Sequence, residues 1–157
     1  MTRLGFVLSV MLGLASVPTP APVAAEDVAG VTGAGEAIFS GGATLGGLSL
    51  SGLTLGQGVF LAQDGSATSQ FQAVLYGTSL LGARQEVTVE GEDRNGFVGG
   101  VGSATFSGTA TVDMGDGTLP LPGVPFTVTA STGSLGLILG ATALPTAAVT
   151  AGSITIE

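Results

Sequence analysis

The sequence predicts an all-β protein, an antiparallel barrel or two-sheet sandwich of about eight strands. Three observations carry that expectation. Apolar and polar residues alternate with period two in several segments, short clusters rich in Asp, Asn and Gly separate these segments, and nothing longer than a turn reads as a helix beyond the N-terminal apolar run.

The clearest strand is Ala104 to Asp113. One face carries Ala104, Phe106, Gly108, Ala110 and Val112, and the other Thr105, Ser107, Thr109, Thr111 and Asp113. Successive side chains of an extended chain point to opposite faces, so this pattern buries one side and wets the other. Val124, Phe126 and Val128 alternate with Pro125, Thr127 and Thr129, Val87 and Val89 with Glu86, Thr88 and Glu90, and Ile154 and Ile156 with Ser153, Thr155 and Glu157. The expected core is Phe39, Val87, Val89, Phe106, Val112, Phe126, Val128, Ile154 and Ile156. Gln63-Asp64-Gly65-Ser66, Arg94-Asn95-Gly96 and Asp113-Met114-Gly115-Asp116-Gly117 read as hairpins or loops, because Asn, Asp and Gly tolerate the positive φ of tight connections.

An internal repeat suggests two similar four-strand halves. Ala37 to Leu45 matches Ala104 to Val112 at six of nine positions, and at the same offset Val87-Thr88-Val89-Glu90 aligns with Ile154-Thr155-Ile156-Glu157. The repeat units would be residues 37–90 and 104–157, related by a pseudo-twofold axis.

The N-terminus has a short basic start, an apolar run from Leu4 to Val17 too brief to span a bilayer, and a small-residue exit ending at Ala25. That is the pattern of a secretory signal peptide over residues 1–25, with cleavage after Ala25. Residues 26–35, mixed acidic, Gly and small, read as a flexible leader, and 36–157 as a single all-β domain. The expected location is secreted or periplasmic. Cysteine is absent, so neither disulfides nor thiolate metal sites are available.

Eleven acidic residues face three arginines, with no lysine or histidine. Such a chain lacks the clustered cations that bind phosphate backbones, so nucleic acid and anionic membrane surfaces are excluded as partners. With no His, Cys or Lys the usual bases and activated nucleophiles are missing too. No catalytic, cofactor-binding or metal-ligating residue is assigned, and no cofactor is expected.

Four features remain as candidate surfaces. Glu86, Glu90, Glu92, Asp93, Arg94 and Asn95 form the densest polar group, read as a solvated strand edge running into a hairpin tip. Asp113 and Asp116 could bind calcium but read as an ordinary Asp-Gly turn. Thr105, Ser107, Thr109 and Thr111, if paired with Thr127, Thr129 and Ser131, would display a sheet of hydroxyls able to dock a carbohydrate, an ice lattice or a protein. Finally, Leu135-Gly136-Leu137-Ile138-Leu139-Gly140-Ala141 is apolar on both faces, which reads as a strand covered within the domain and alternatively as a surface for self-association through Leu135, Leu137, Ile138 and Leu139. A closed barrel could also hold an apolar ligand between residues such as Leu61, Phe71 and Leu137. These features suit a secreted non-catalytic β domain with a binding or structural role. The alternative is a small carboxylate-dependent hydrolase acting on glycans.

Overall fold

The computed structural model describes residues 30–61, 67–100 and 102–156, with the backbone alone described over 59–61, 67–69 and 93–100. The expected signal peptide and the Gln63 to Ser66 turn lie outside the described residues. Ten strands follow one another: β1 (Gly30–Phe39), β2 (Thr44–Leu45), β3 (Leu48–Leu61), β4 (Ala67–Thr78), β5 (Arg84–Gly100), β6 (Ser103–Asp113), β7 (Leu121–Ser131), β8 (Ser134–Leu139), β9 (Thr142–Ala143) and β10 (Ala147–Ile156). All pairings are antiparallel.

Eight strands form a ring. β3 to β8 pair in chain order, β8 pairs with β10, and β1 closes the circle by pairing with both β10 and β3. The short β2 and β9 are hairpin arms on β3 and β8. Each of the eight has a neighbour on both sides, so the sheet is barrel-like, with its thinnest seam at β8 and β10, which oppose at only two residue pairs. The strands are strongly staggered. Directly opposed residues lead from Glu86 of β5 through Tyr76, Gly52, Ile38, Ala148, Ser134, Ser131 and Ser103 back to β5 at Gly100, near its other end. Such a stagger tilts the strands and widens the interior.

That interior is filled by side chains. Phe71 stacks on Phe126 with ring centroids 5.5 Å apart, and Phe106 meets Phe71 and Phe126 edge-on at 6.1 and 6.3 Å. Leu53, Leu55, Leu75, Val87, Val89, Val128, Leu135 and Leu137 surround this trio. Gly91 makes room for it: a Cβ there would lie 2.6 Å from the Phe126 ring. The outer face carries Ser, Thr, Gln and Glu, the reverse of a barrel whose outer surface must meet lipid.

The expected core residues are buried, with Ile156 partly so. Several other expectations are corrected. Residues 30–35 are not leader but the first part of β1, lying between β3 and β10. Their Gly and Ala content hides the strand because the neighbouring backbones come close here and leave little room for side chains. Arg94-Asn95-Gly96 is not a hairpin tip. It falls inside β5, where Asp93 opposes Gly108 and Phe97 opposes Phe106, so the extra residues are absorbed as a bulge. β5 is also not an edge, since β4 and β6 pair along both its sides.

In three dimensions the two repeat units share the order of strand pairing, β1-β3-β4-β5 and β6-β7-β8-β10, but not its register. Ala104 to Val112 lies in one strand, whereas β1 stops at Phe39 and Ser40 to Ala43 form a bend before β2. Phe39 opposes Ala147, while Phe106 opposes Phe97 and not the residue that the repeat offset requires, Leu80.

Candidate outer-face groove

Alternation and register together assemble a polar groove on the outside of the sheet. Gly56 opposes Gln72, Gln72 opposes Glu90, and Glu90 opposes Thr111. Two residues along, Gly58 opposes Gln70, Gln70 opposes Glu92, and Glu92 opposes Thr109. Residues two apart on a strand share a face, so these form two parallel rungs crossing β3, β4, β5 and β6. The intervening Gln57, Phe71, Gly91 and Ala110 are buried, and only their backbone forms the floor between the rungs. The groove has a volume of about 840 Å³, opens to solvent and reaches Gly123 on β7.

Each rung thus offers an amide, a carboxylate and a hydroxyl beside a glycine. Gln72 Nε2 donates to Glu90 Oε1 at 3.3 Å, which orients the amide along its rung. A Cβ on Gly56 would meet open space, and this residue does not have positive φ. Neither packing nor backbone conformation therefore demands glycine at 56, whose effect is to leave the β3 end of the groove bare.

A second outer groove of about 650 Å³ lies further along β4 and β5, lined by Ser51, Tyr76, Thr78, Arg84, Gln85 and Glu86. The Tyr76 hydroxyl lies 3.3 Å from Thr54 Oγ1. Gln85 Nε2 donates to the Met114 carbonyl at 2.6 Å, tying this wall to the β6–β7 connection.

The structure divides the acidic cluster. Glu90 and Glu92 enter the first groove and Glu86 the second, while the side chains of Asp93, Arg94 and Asn95 lie outside the described residues. Glu90 and Glu92 rise from one wall, roughly 7 Å apart along the strand. Glycoside hydrolysis needs two carboxyls flanking the scissile bond, and these stand side by side. Gln70, Gln72, Thr109 and Thr111 escaped the sequence reading as groove residues. Their signal was present as polar residues alternating with Phe71 and Ala110, but only strand register brings them beside Glu90 and Glu92.

Asp113 and Asp116 brace their own loop. Asp113 Oδ1 accepts the Gly115 N–H at 2.9 Å, and Asp116 Oδ1 accepts both the Thr118 hydroxyl at 2.6 Å and the Thr118 N–H at 2.9 Å. These bonds, the hydroxyl's first, hold the Asp116 carboxyl below the ordinary 3.8. Among the described residues no group of three or more His, Cys, Asp or Glu could hold a metal ion.

The Ser/Thr strands do pair, with Thr105 opposing Thr129 and Ser107 opposing Thr127, and the Thr105 and Thr129 hydroxyls are 3.1 Å apart. In the Leu135 to Leu139 strand, Leu135, Leu137 and Leu139 are buried in the core, as the first of the two readings expects, and Ile138 is exposed. Gly136 and Gly140 occupy the outward positions, and a residue without a side chain cannot reveal from sequence that its face is wet. Phe71 and Leu137 are packed in the core, and the Leu61 side chain lies outside the described residues.

Comparison with protein-family models, curated proteins and solved structures gives no match.

Proposed function

We propose that this is an exported, non-catalytic binding module whose ligand site is the groove across β3 to β6, and that its ligand is a carbohydrate chain. The observation that supports this reading is the pair of parallel Gln–Glu–Thr rungs beside the bare position at Gly56. Sugar hydroxyls act as donor and acceptor at once, and amides and carboxylates at fixed spacing are suited to meet them. The two rungs are roughly 7 Å apart along the strands. An extended ligand crossing the strands could contact both rungs together.

Titration of the ¹⁵N-labelled protein with a panel of neutral oligosaccharides tests the proposal. The Gln70 and Gln72 side-chain amide signals should shift together, and Glu90→Gln with Gln72→Ala should weaken binding by roughly tenfold or more, as the loss of one or two charge-assisted hydrogen bonds predicts. Shifts confined to the Thr105–Thr129 face, or no shifts at all, would reject the groove. The hydrolase alternative draws on the same two carboxylates. It requires time-dependent release of reducing ends that Glu90→Gln abolishes.

A further inference from the structure

Three leucines stand almost wholly in water. Leu80, Leu81 and Leu119 are 94, 96 and 93% exposed. Leu80 and Leu81 occupy the turn joining β4 to β5, and Leu119 the connection from β6 to β7. Both connections lie at the same end of the ring, and the Gln85 to Met114 hydrogen bond ties them together.

Neither tip is loose. Ser79 accepts the Gly82 N–H at 2.9 Å, donates its own N–H to Ala83 at 2.8 Å, and offers its Oγ to the Ala83 N–H at 3.2 Å. Leu80 and Leu81 are therefore the two central residues of a closed turn, where polar residues, Gly or Pro ordinarily sit. The Leu119 connection is braced by Asp113 and Asp116 and continues as Leu119-Pro120-Leu121-Pro122, with Leu121 63% exposed and both proline φ angles fixed by their rings. Leucines on slack loops would fold back onto the barrel. Here local hydrogen bonds and prolines hold them out.

We propose that this end of the barrel docks on a lipid surface of zwitterionic headgroups, inserting Leu80, Leu81 and Leu119 into its apolar layer. Separate protruding tips suit a fluid layer, which takes them without shape complementarity, whereas a protein partner would need a socket for each. Charge selects the lipid. Among the described residues the ionisable side chains flanking the tips are Arg84 and Glu86 beside the first and Asp113 and Asp116 beside the second, on a chain of net charge −8, so an anionic headgroup layer would repel this end. The groove lies on the side of the barrel, and this docking does not depend on it.

The sequence contains no tryptophan, so Leu81→Trp supplies a single fluorescent reporter. Protein recovered after export, and so freed of any cleaved N-terminal segment, is mixed with phosphatidylcholine vesicles. The Leu81→Trp emission should shift to the blue, and the unsubstituted protein should sediment with the vesicles. Replacing all three leucines by serine should lower partitioning by about tenfold per leucine, without changing the circular dichroism, because their side chains contact little of the protein. Adding phosphatidylglycerol should weaken binding. Partitioning equal in the serine variant, an unshifted emission, or tighter binding to anionic vesicles would each overturn the proposal. A dimer abolished by the serine substitutions, with no vesicle binding, would show the tips to be a contact between copies instead.

Discussion

Individual residues in this barrel answer to their surroundings more than to their own type. Gln57 is the clearest case. It is 8% exposed, faces the apolar interior, and neither of its amide atoms has a hydrogen-bond partner. An unsatisfied buried polar group of this kind costs on the order of 1–3 kcal/mol. Gln57→Met, which keeps the length of the side chain and removes both polar atoms, should therefore raise the urea unfolding free energy by about 1–3 kcal/mol. A loss of stability instead would show that a buried water completes the amide. Phe106 is fully buried against two other rings, and Phe106→Ala should cost roughly 3–5 kcal/mol in the same assay. Asp116 makes a pH prediction. Its folded pKa is depressed, so the loop stabilisation is present above 3.8 and is lost as pH falls through the lower folded value. A carboxyl titration followed by NMR should place the Asp116 midpoint below 3.8, and Thr118→Val should move it up towards that value. Phe106 was legible as core because its neighbours alternate cleanly. Gln57 was not, since a glutamine between Gly56 and Gly58 reads as a wet position until the register turns it inward.

At the scale of elements, legibility followed the side chains. β6, β7 and the end of β10 alternate apolar or small residues with polar ones around bulky anchors (Phe106, Val112, Phe126, Val128, Ile154 and Ile156), and the structure has them as strands. The first part of β1 carries Gly and Ala, and its strand character comes from its neighbours. Gly35 opposes Gly152, the latter at φ +83°, and a Cβ on Gly152 would run into the Ala34 carbonyl. This is a close approach of two backbones, for which an alternation test has no signal. Turn chemistry misled in the opposite direction within β5, where a long paired strand accommodates Asn95-Gly96 as a bulge. The junctions of the ring also differ in strength. β3 and β4 share twelve opposed residue pairs, whereas β8 and β10 share two, supplemented by the Val149 N–H to Gly133 carbonyl bond. Local opening begins where cooperative hydrogen bonding is thinnest. Hydrogen exchange should therefore be faster for Ala147, Ala148 and their β8 partners than for Leu53 to Leu55 and Leu75. Uniform protection around the ring would show that core packing outweighs the missing ladder.

For the whole molecule the decisive contact is one that no local pattern announces. β1 pairs over nine residues with β10 and over nine with β3, so the start of the described chain meets both its end and its first long strand. Period-two alternation specified which face of each strand was buried, but ring closure depends on partners more than a hundred residues apart, and the same alternation serves an open sandwich equally well. The groove has the same origin, because the rungs joining Gln70, Gln72, Glu90, Glu92, Thr109 and Thr111 exist only once the register of four strands is set. Residues 30–36 provide a direct test of closure. Were they a leader, a chain starting at Ala37 would fold as well as the longer one. In the ring their removal strips most of β1 and leaves long stretches of β3 and β10 without a neighbour, exposing unpaired N–H and C=O groups and uncovering the apolar interior behind them. The shortened chain should lose its cooperative thermal transition and elute as aggregates in size-exclusion chromatography. A control shortened only to Val28 should unfold as the longer protein does. A monomeric, cooperatively unfolding chain beginning at Ala37 would mean that β3 and β10 can close on each other without β1, and that the ring is not what holds the fold together.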